Sequence, residues 1–243
     1  IESSHFKNLP SFFANAVESI KKKGIKTIKG SVIGDASLYF QSGSVPLWLV
    51  EDIGTYYAPT PSAICAYDNI IKVYAGRASD SSAVVLDHTT PSTPLFDLSF
   101  ESKKCEYKII ASDYSWTRSI QGPFTPGKNV EINAEMPEPA LFVADSLEHL
   151  LKVQGVDVEQ PASTTRKSNY TRSDSCVVVY THKSPNLAKI IQQTNYKSIN
   201  LYAENLLLQV GAQKNEVATH ANSTAAVASF WNSKGNASII QLM

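Results

Sequence analysis

No apolar run in this chain of 243 residues approaches the roughly 20 residues that a membrane-spanning helix requires. Net charge is lacking too: 22 basic residues balance 22 acidic ones, so no global field draws nucleic acid or an anionic membrane surface. The one basic run, Lys21-Lys22-Lys23, reads as the solvated last turn of a helix, where cations complement the dipole. Cysteine is scarce. Cys65, Cys105 and Cys176 are widely spaced and odd in number, and none pairs with a nearby Cys or His at ligand spacing, which argues against zinc. The five histidines are scattered and receive no metal role. Ile1-Glu2-Ser3-Ser4-His5 is not a secretory n-region, and no internal repeat is present.

What the chain does contain is enough length for one large or two smaller domains with real cores. Phe13, Ala16, Val17 and Ile20 predict a helix closed by Gly24. Short apolar runs follow at Val32-Ile33, Ile70 to Tyr74, Ala83 to Leu86, Tyr107 to Ile110 and Asn129 to Ile132. Clusters of Pro, Gly, Ser and Asp separate them, the pattern of strands joined by turns. Ala144, Leu147 and Leu151 predict a helix ending at Gly155, and Glu159 to Arg172 reads as a polar linker or exposed loop. Beyond it Cys176 to Tyr180 is expected to be a strand, with Cys176 a small core residue. Helices are then expected after a Ser184-Pro185 start, up to a Gly211 cap, and around Thr224 to Trp231. The fold class is α+β, with a β-rich portion over 1–172 and a mainly helical portion over 173–243.

Between two of those helices lies Ser198-Ile199-Asn200. Residues two apart do not share a helix face, so only a loop or first turn can aim both polar side chains one way. Held so, a hydroxyl and a carboxamide can serve as proton relay and substrate anchor. The spacing also fits a plain alternative, with Ser198 the N-cap of the next helix and Asn200 a solvated first-turn residue. A second such triplet, Ser184-Pro185-Asn186, shows how freely the spelling arises.

Several longer matches surround the triplet. Ser184-Pro185-Asn186-Leu187, Asn195 with Tyr196, Ser198, Asn200 and Leu201-Tyr202-Ala203-Glu204 resemble the class C low-molecular-mass penicillin-binding proteins. Asn186 stands where the family has a second Pro, Tyr196 where it has Lys, and Ile199 where Asp is commonest. Far upstream, Gly30 to Tyr39 (GSVIGDASLY) resembles the family's Gly-Asp-Ala-Ser-Leu strand and turn, followed by Trp48, Asp52, Tyr57-Ala58, Ser62-Ala63 and Asn69. The resemblance implies a serine D-alanyl-D-alanine carboxypeptidase or endopeptidase acting on peptidoglycan stem peptides, and on β-lactams if the full enzyme is intact. It implies a periplasmic or otherwise extracytoplasmic site of action, with no metal or organic cofactor. Residues 1–172 would be a β-rich domain inserted in the transpeptidase fold, and 173–243 part of that fold's β-lactamase-like helical layer. Ser198 would be the relay and Asn200 the anchor. Tyr57 and Asp68, in the matching region between Trp48 and Asn69, are candidate substrate contacts; a packed Tyr and a turn Asp are the plainer reading.

Two parts of that chemistry are missing. Lys-Thr-Gly does not occur, and Ser-x-x-Lys is spelled only at Ser4-Lys7 and Ser19-Lys22, neither in a setting that activates a nucleophile. Ser238 to Met243 reads as a strand entering a core at which the chain stops. The expectation is therefore the middle of a longer enzyme, inactive alone. A non-catalytic wall-binding module built on the same scaffold is the alternative. A β-lactamase relative would share the triplet without accounting for the long β-rich stretch.

Overall fold

A computed structural model describes residues 9–40, 43–168, 170 and 175–234. The elements run α1 (Leu9–Lys22), β1 (Thr27–Ile28), β2 (Ile33–Gly34), β3 (Ile70–Arg77), β4 (Val85–Thr90), β5 (Asp97–Ser102), β6 (Lys108–Ile110), β7 (Thr117–Gly122) and β8 (Lys128–Glu135). After them come α2 (Pro139–Val153), β9 (Asp157–Val158), β10 (Ser163–Thr164), α3 (Leu187–Lys197), α4 (Asn200–Ala212) and α5 (His220–Ser233). The result is a mixed α/β arrangement of small sheets and five helices among the described residues.

Two three-stranded sheets make the β-rich part. One, in the order β4-β3-β8, is antiparallel; the other, β5-β7-β6, pairs β5 with β7 in parallel. Val73 and Ile132 from the first sheet bury against Ile109 and Ile120 from the second, with Phe124 closing the edge. Each such side chain removed from water contributes roughly 1.5–3 kcal/mol. Helices α1 and α2 cover the far side of β3 through Phe13, Phe142, Ile71 and Met136. Two short parallel pairings, β1 with β9 and β2 with β10, bring residues 27–34 beside 157–164.

The helical part depends on close approach. Thr219 caps α5 by accepting from the Asn222 backbone N–H at 3.0 Å, and Asn222 Oδ1 returns the favour to the Thr219 N–H at 2.8 Å. Gly211 lies inside α4 and does not cap it. A Cβ there would meet Ser223 Oγ of α5 at 2.1 Å, so this glycine is the contact surface between the two helices.

Other expectations change as well. The cap of α3 is Asn186, whose Oδ1 accepts from the Lys189 N–H at 2.9 Å, two residues beyond Ser184. Residues 176–180 form no strand: they pair with no other strand among the described residues, Val177 and Val178 are 75% and 70% exposed, and Cys176 is exposed. The polar stretch after Glu159 is no loose linker. It contains β10, buries Thr164, and ties Arg166 and Lys167 to Glu138, each at 2.7 Å. Ser4-Lys7 and Ser238 to Met243 lie outside the described residues, as do residues 171–174 around the expected domain boundary.

Candidate active site

The chain passes from α3 to α4 through two residues. Ser198 ends α3 in the left-handed conformation, φ +51° and ψ +49°, with its backbone N–H bonded to the Thr194 carbonyl. Ile199 is extended, and its side chain packs with Ile190, Leu201 and Tyr202. That reversal turns Ser198 outward and starts α4 at Asn200. Ser198 is thus the last cap of one helix, not the first cap of the next. Its side chain is exposed and has no hydrogen-bonding partner among the described residues.

Opposite this corner runs the segment 54–69. Asn200 Nδ2 donates to the Tyr57 carbonyl at 2.8 Å, and Tyr202 Oη donates to Asp68 Oδ1 at 2.8 Å. The first turn of α4 therefore grips the segment at both ends. Between them lies a cavity of about 240 Å³, with Tyr56, Tyr57, Pro59, Asp68 and Ile70 on one wall and Lys197 to Leu201 on the other. Ser198, Asn200, Tyr57 and Asp68 all line it.

The wall has its own chemistry. Tyr57 Oη donates to Asp52 Oδ1 at 2.9 Å, and that bond, followed by burial, pushes the phenol above its ordinary range. The Tyr56 and Tyr57 rings meet edge to face, 5.3 Å between centroids, at the mouth of the cavity. Asp68 is buried to 5% exposure within a left-handed turn, where Tyr67, Asp68 and Asn69 have φ of +53°, +57° and +52°. Three non-glycine residues in that region are costly, about 1–2 kcal/mol each. The turn persists because Asn69 satisfies it: Oδ1 accepts from the Ala66 N–H at 3.2 Å and Nδ2 donates to the Thr60 carbonyl at 3.0 Å.

Tyr202 carries a role that its place in the Leu-Tyr-Ala-Glu match did not announce. A tyrosine fully buried in a helix needs an acceptor for its hydroxyl, and that requirement was the available signal. Ser19 and Lys22 belong elsewhere. Ser19 Oγ donates to the Asn15 carbonyl at 2.7 Å, and Lys22 pairs with Glu18 at 2.7 Å on the exposed face of α1. A larger groove of about 820 Å³ between α1 and α2, lined by Phe13, Val17 and Leu150, contains none of the four cavity residues. Among the described residues no cluster of three or more His, Cys, Asp or Glu is arranged to hold a metal, and no helix is long and apolar enough to cross a membrane.

Comparison with known proteins gives this geometry a family. The chain is similar in fold to penicillin binding protein 4 of Haemophilus influenzae, at 15% identity and a TM-score of 0.72 over 92% of this chain and 50% of that one. A second structure of that protein, complexed with a novel β-lactam, matches at 13% identity and a TM-score of 0.66 over 93% of this chain and 49% of that one. The chain thus spans about half the length of the solved structures it matches. No curated protein matches it. The model of the D-Ala-D-Ala carboxypeptidase 3 (S13) family matches residues 7–238. With nearly its whole length inside that match, the chain belongs to the D-Ala-D-Ala carboxypeptidase 3 (S13) family.

Proposed function

We propose that these residues form one side of the active site of a serine D-alanyl-D-alanine carboxypeptidase or endopeptidase, whose attacking serine and Lys-Thr-Gly strand come from outside them. In such an enzyme the serine Oγ attacks the carbonyl carbon of the penultimate D-alanine. The peptide C–N bond breaks, the terminal D-alanine leaves as an amine, and water then hydrolyses the ester. Ser198 passes a proton to the departing nitrogen, the step for which an exposed and unengaged hydroxyl is suited. Asn200 gives one of its two carboxamide N–H groups to the Tyr57 carbonyl, which orients the group and leaves Oδ1 to accept from the peptide N–H. Tyr57 and Asp68 form the wall along which the stem peptide lies. Such substrates place the reaction outside the cytoplasm, in the periplasm or its equivalent.

One observation carries this reading: the Ser-x-Asn corner and the wall segment border a single cavity in a chain of this family. Labelling with a fluorescent penicillin tests it. The full-length protein should acquire a covalent band, and the 243-residue chain alone should not. A band on the short chain that disappears with Ser4→Ala would overturn the division of labour. Failure of the full-length protein to label would favour a non-catalytic wall-binding module.

A further inference from the structure

Segment 54–69 has almost no regular structure, yet it forms a cavity wall, so something must fix its position. Besides its bonds to α4, four attachments do so that reach residues 134–136 at the end of β8. Gly54 accepts from the Glu135 N–H at 2.7 Å, and Thr55 bridges Ala134. Asn69 accepts from the Met136 N–H at 2.7 Å. The fourth is a side chain: Glu135 Oε1 accepts from both the Thr60 N–H, at 2.9 Å, and the Thr60 hydroxyl, at 2.5 Å. Of these four it alone falls within the wall and not at its ends, next to Pro59 and three residues from Tyr57.

Glu135 is itself held from behind. Its Oε2 lies 3.4 Å from Arg118 Nη2, and the two side chains are 2% and 0% exposed. Arg118 Nη1 donates to the carbonyls of Ser115, Ser112 and Thr117, which fixes the guanidinium to the β6–β7 turn. A buried ion pair of this kind adds little net stability over apolar packing, because desolvation offsets the attraction. Burial dominates here, pushing the Glu135 carboxyl above the usual carboxylate range despite the Thr60 bonds and Arg118. An expensive pair that ends on the backbone of a wall segment is better explained by what it positions.

We infer that Glu135 is a positioning residue for the site: through Thr60 it sets the wall, and through the Tyr57 carbonyl it sets the Asn200 carboxamide across the cavity. Glu135 thereby controls the geometry of the Ser-x-Asn corner from outside the cavity lining. The functional half of this inference rests on the reading proposed above; the structural half does not.

The test compares Glu135→Gln with Glu135→Ala. Glutamine keeps an acceptor for Thr60 but gives Arg118 no counter-charge, whereas alanine removes both. In the 243-residue chain, the Thr60 amide should exchange about tenfold faster or more in Glu135→Ala, the loss expected for a bond to a charged acceptor. The Asn200 carboxamide resonances should move with it. Glu135→Gln should leave both near wild type, although it loses the same partner for Arg118. If Glu135 merely neutralises Arg118, the two variants will behave alike, and the inference is wrong. Should Glu135→Ala fail to fold, Thr60→Val decides, since it removes one of the two bonds and leaves the ion pair intact. An Asn200 carboxamide unmoved by Thr60→Val overturns the coupling.

In the full-length protein, kcat/KM for a D-alanyl-D-alanine peptide should fall about tenfold in Glu135→Ala, chiefly through KM, and recover in Glu135→Gln. Acylation by a small penicillin should change by less than about twofold. Wild-type protein that neither cleaves peptide nor binds penicillin removes the functional reading, and the resonance comparison still decides the coupling.

Discussion

Replacing Ser198 separates what the residue does for the fold from what it does for the reaction. Its backbone is left-handed, φ +51°, a conformation that costs a residue bearing a Cβ about 1–2 kcal/mol and glycine very little. Against this, glycine gives up roughly 0.5–1 kcal/mol through the freedom it gains in the unfolded chain. The balance favours Ser198→Gly over Ser198→Ala by about 0.5–1 kcal/mol. In a chain of this size that is about 1–4 °C in melting temperature. Ser198→Ala keeps the strain and removes only an exposed hydroxyl with no partner among the described residues, so it should stay within about 0.5 kcal/mol of wild type. Activity should sort differently. On the role proposed for the Ser198 hydroxyl both variants lose the relay, and peptide turnover by the full-length protein should then fall about 10²–10⁴-fold in each. The assays are thermal melting of the chain and release of D-alanine from a stem peptide. A glycine variant less stable than the alanine variant would refute the backbone argument. Near-normal turnover by Ser198→Ala would refute the role of the hydroxyl. Strain retained at a position where glycine would be more stable is the pattern of a residue kept for chemistry.

Two further outcomes follow from the packing. Gly211→Ala gains about 1 kcal/mol of helix propensity but must displace Ser223, whose Oγ and Cβ lie 2.1 and 3.0 Å from the new methyl, so the net effect should be a loss of about 1–2 kcal/mol. Urea unfolding will register it, and adding Ser223→Gly should recover most of the loss. Burial pushes the Tyr39 phenol up to about 12, a rise that the hydrogen bond from Gln209 reduces but does not cancel. A folded value above the unfolded one of about 10 means the contribution is complete below that pH and disappears as the pH climbs through about 12. Unfolding followed from about pH 9 to 12 should therefore show a steep alkaline decline that Tyr39→Phe reduces.

Much of the helical part could be read from its pattern. Leu187, Ile190 and Ile191 mark α3, although the polar residues Asn195 to Lys197 continue that helix and the corner is only Ser198 and Ile199. What could not be read has particular causes. Strand β7 escapes because one of its inward positions is Arg118, and a buried charge resembles a solvent-facing one until its partner Glu135 is known. The run at Val177 and Val178 misleads for the opposite reason: an apolar string predicts a strand only where an edge is free to receive it. Gly211 was legible as a special position, but whether a glycine serves a turn or a neighbour depends on where α5 lies. The left-handed turn at Tyr67 to Asn69 contains no glycine, and only the tolerance of Asp and Asn for that conformation hinted at it. Of the site, the triplet and the two wall residues were named from sequence. The bonds that join them, Asn200 to Tyr57 and Tyr202 to Asp68, span more than 130 positions and have no local signature.

The paired ribbons at Ile33–Gly34 and Ser163–Thr164 have a consequence for how such a protein can vary. The chain leaves at the first and returns at the second, so a turn between them such as residues 78–84 can change length while the parts that touch the frame, α2 against α1, β9 against β1 and Asp68 under Tyr202, stay in place. The lining opposite Asn200 belongs to that intervening stretch. Changing the Tyr56 side chain within it would redraw the outline of the cavity without removing the bond that holds Asn200.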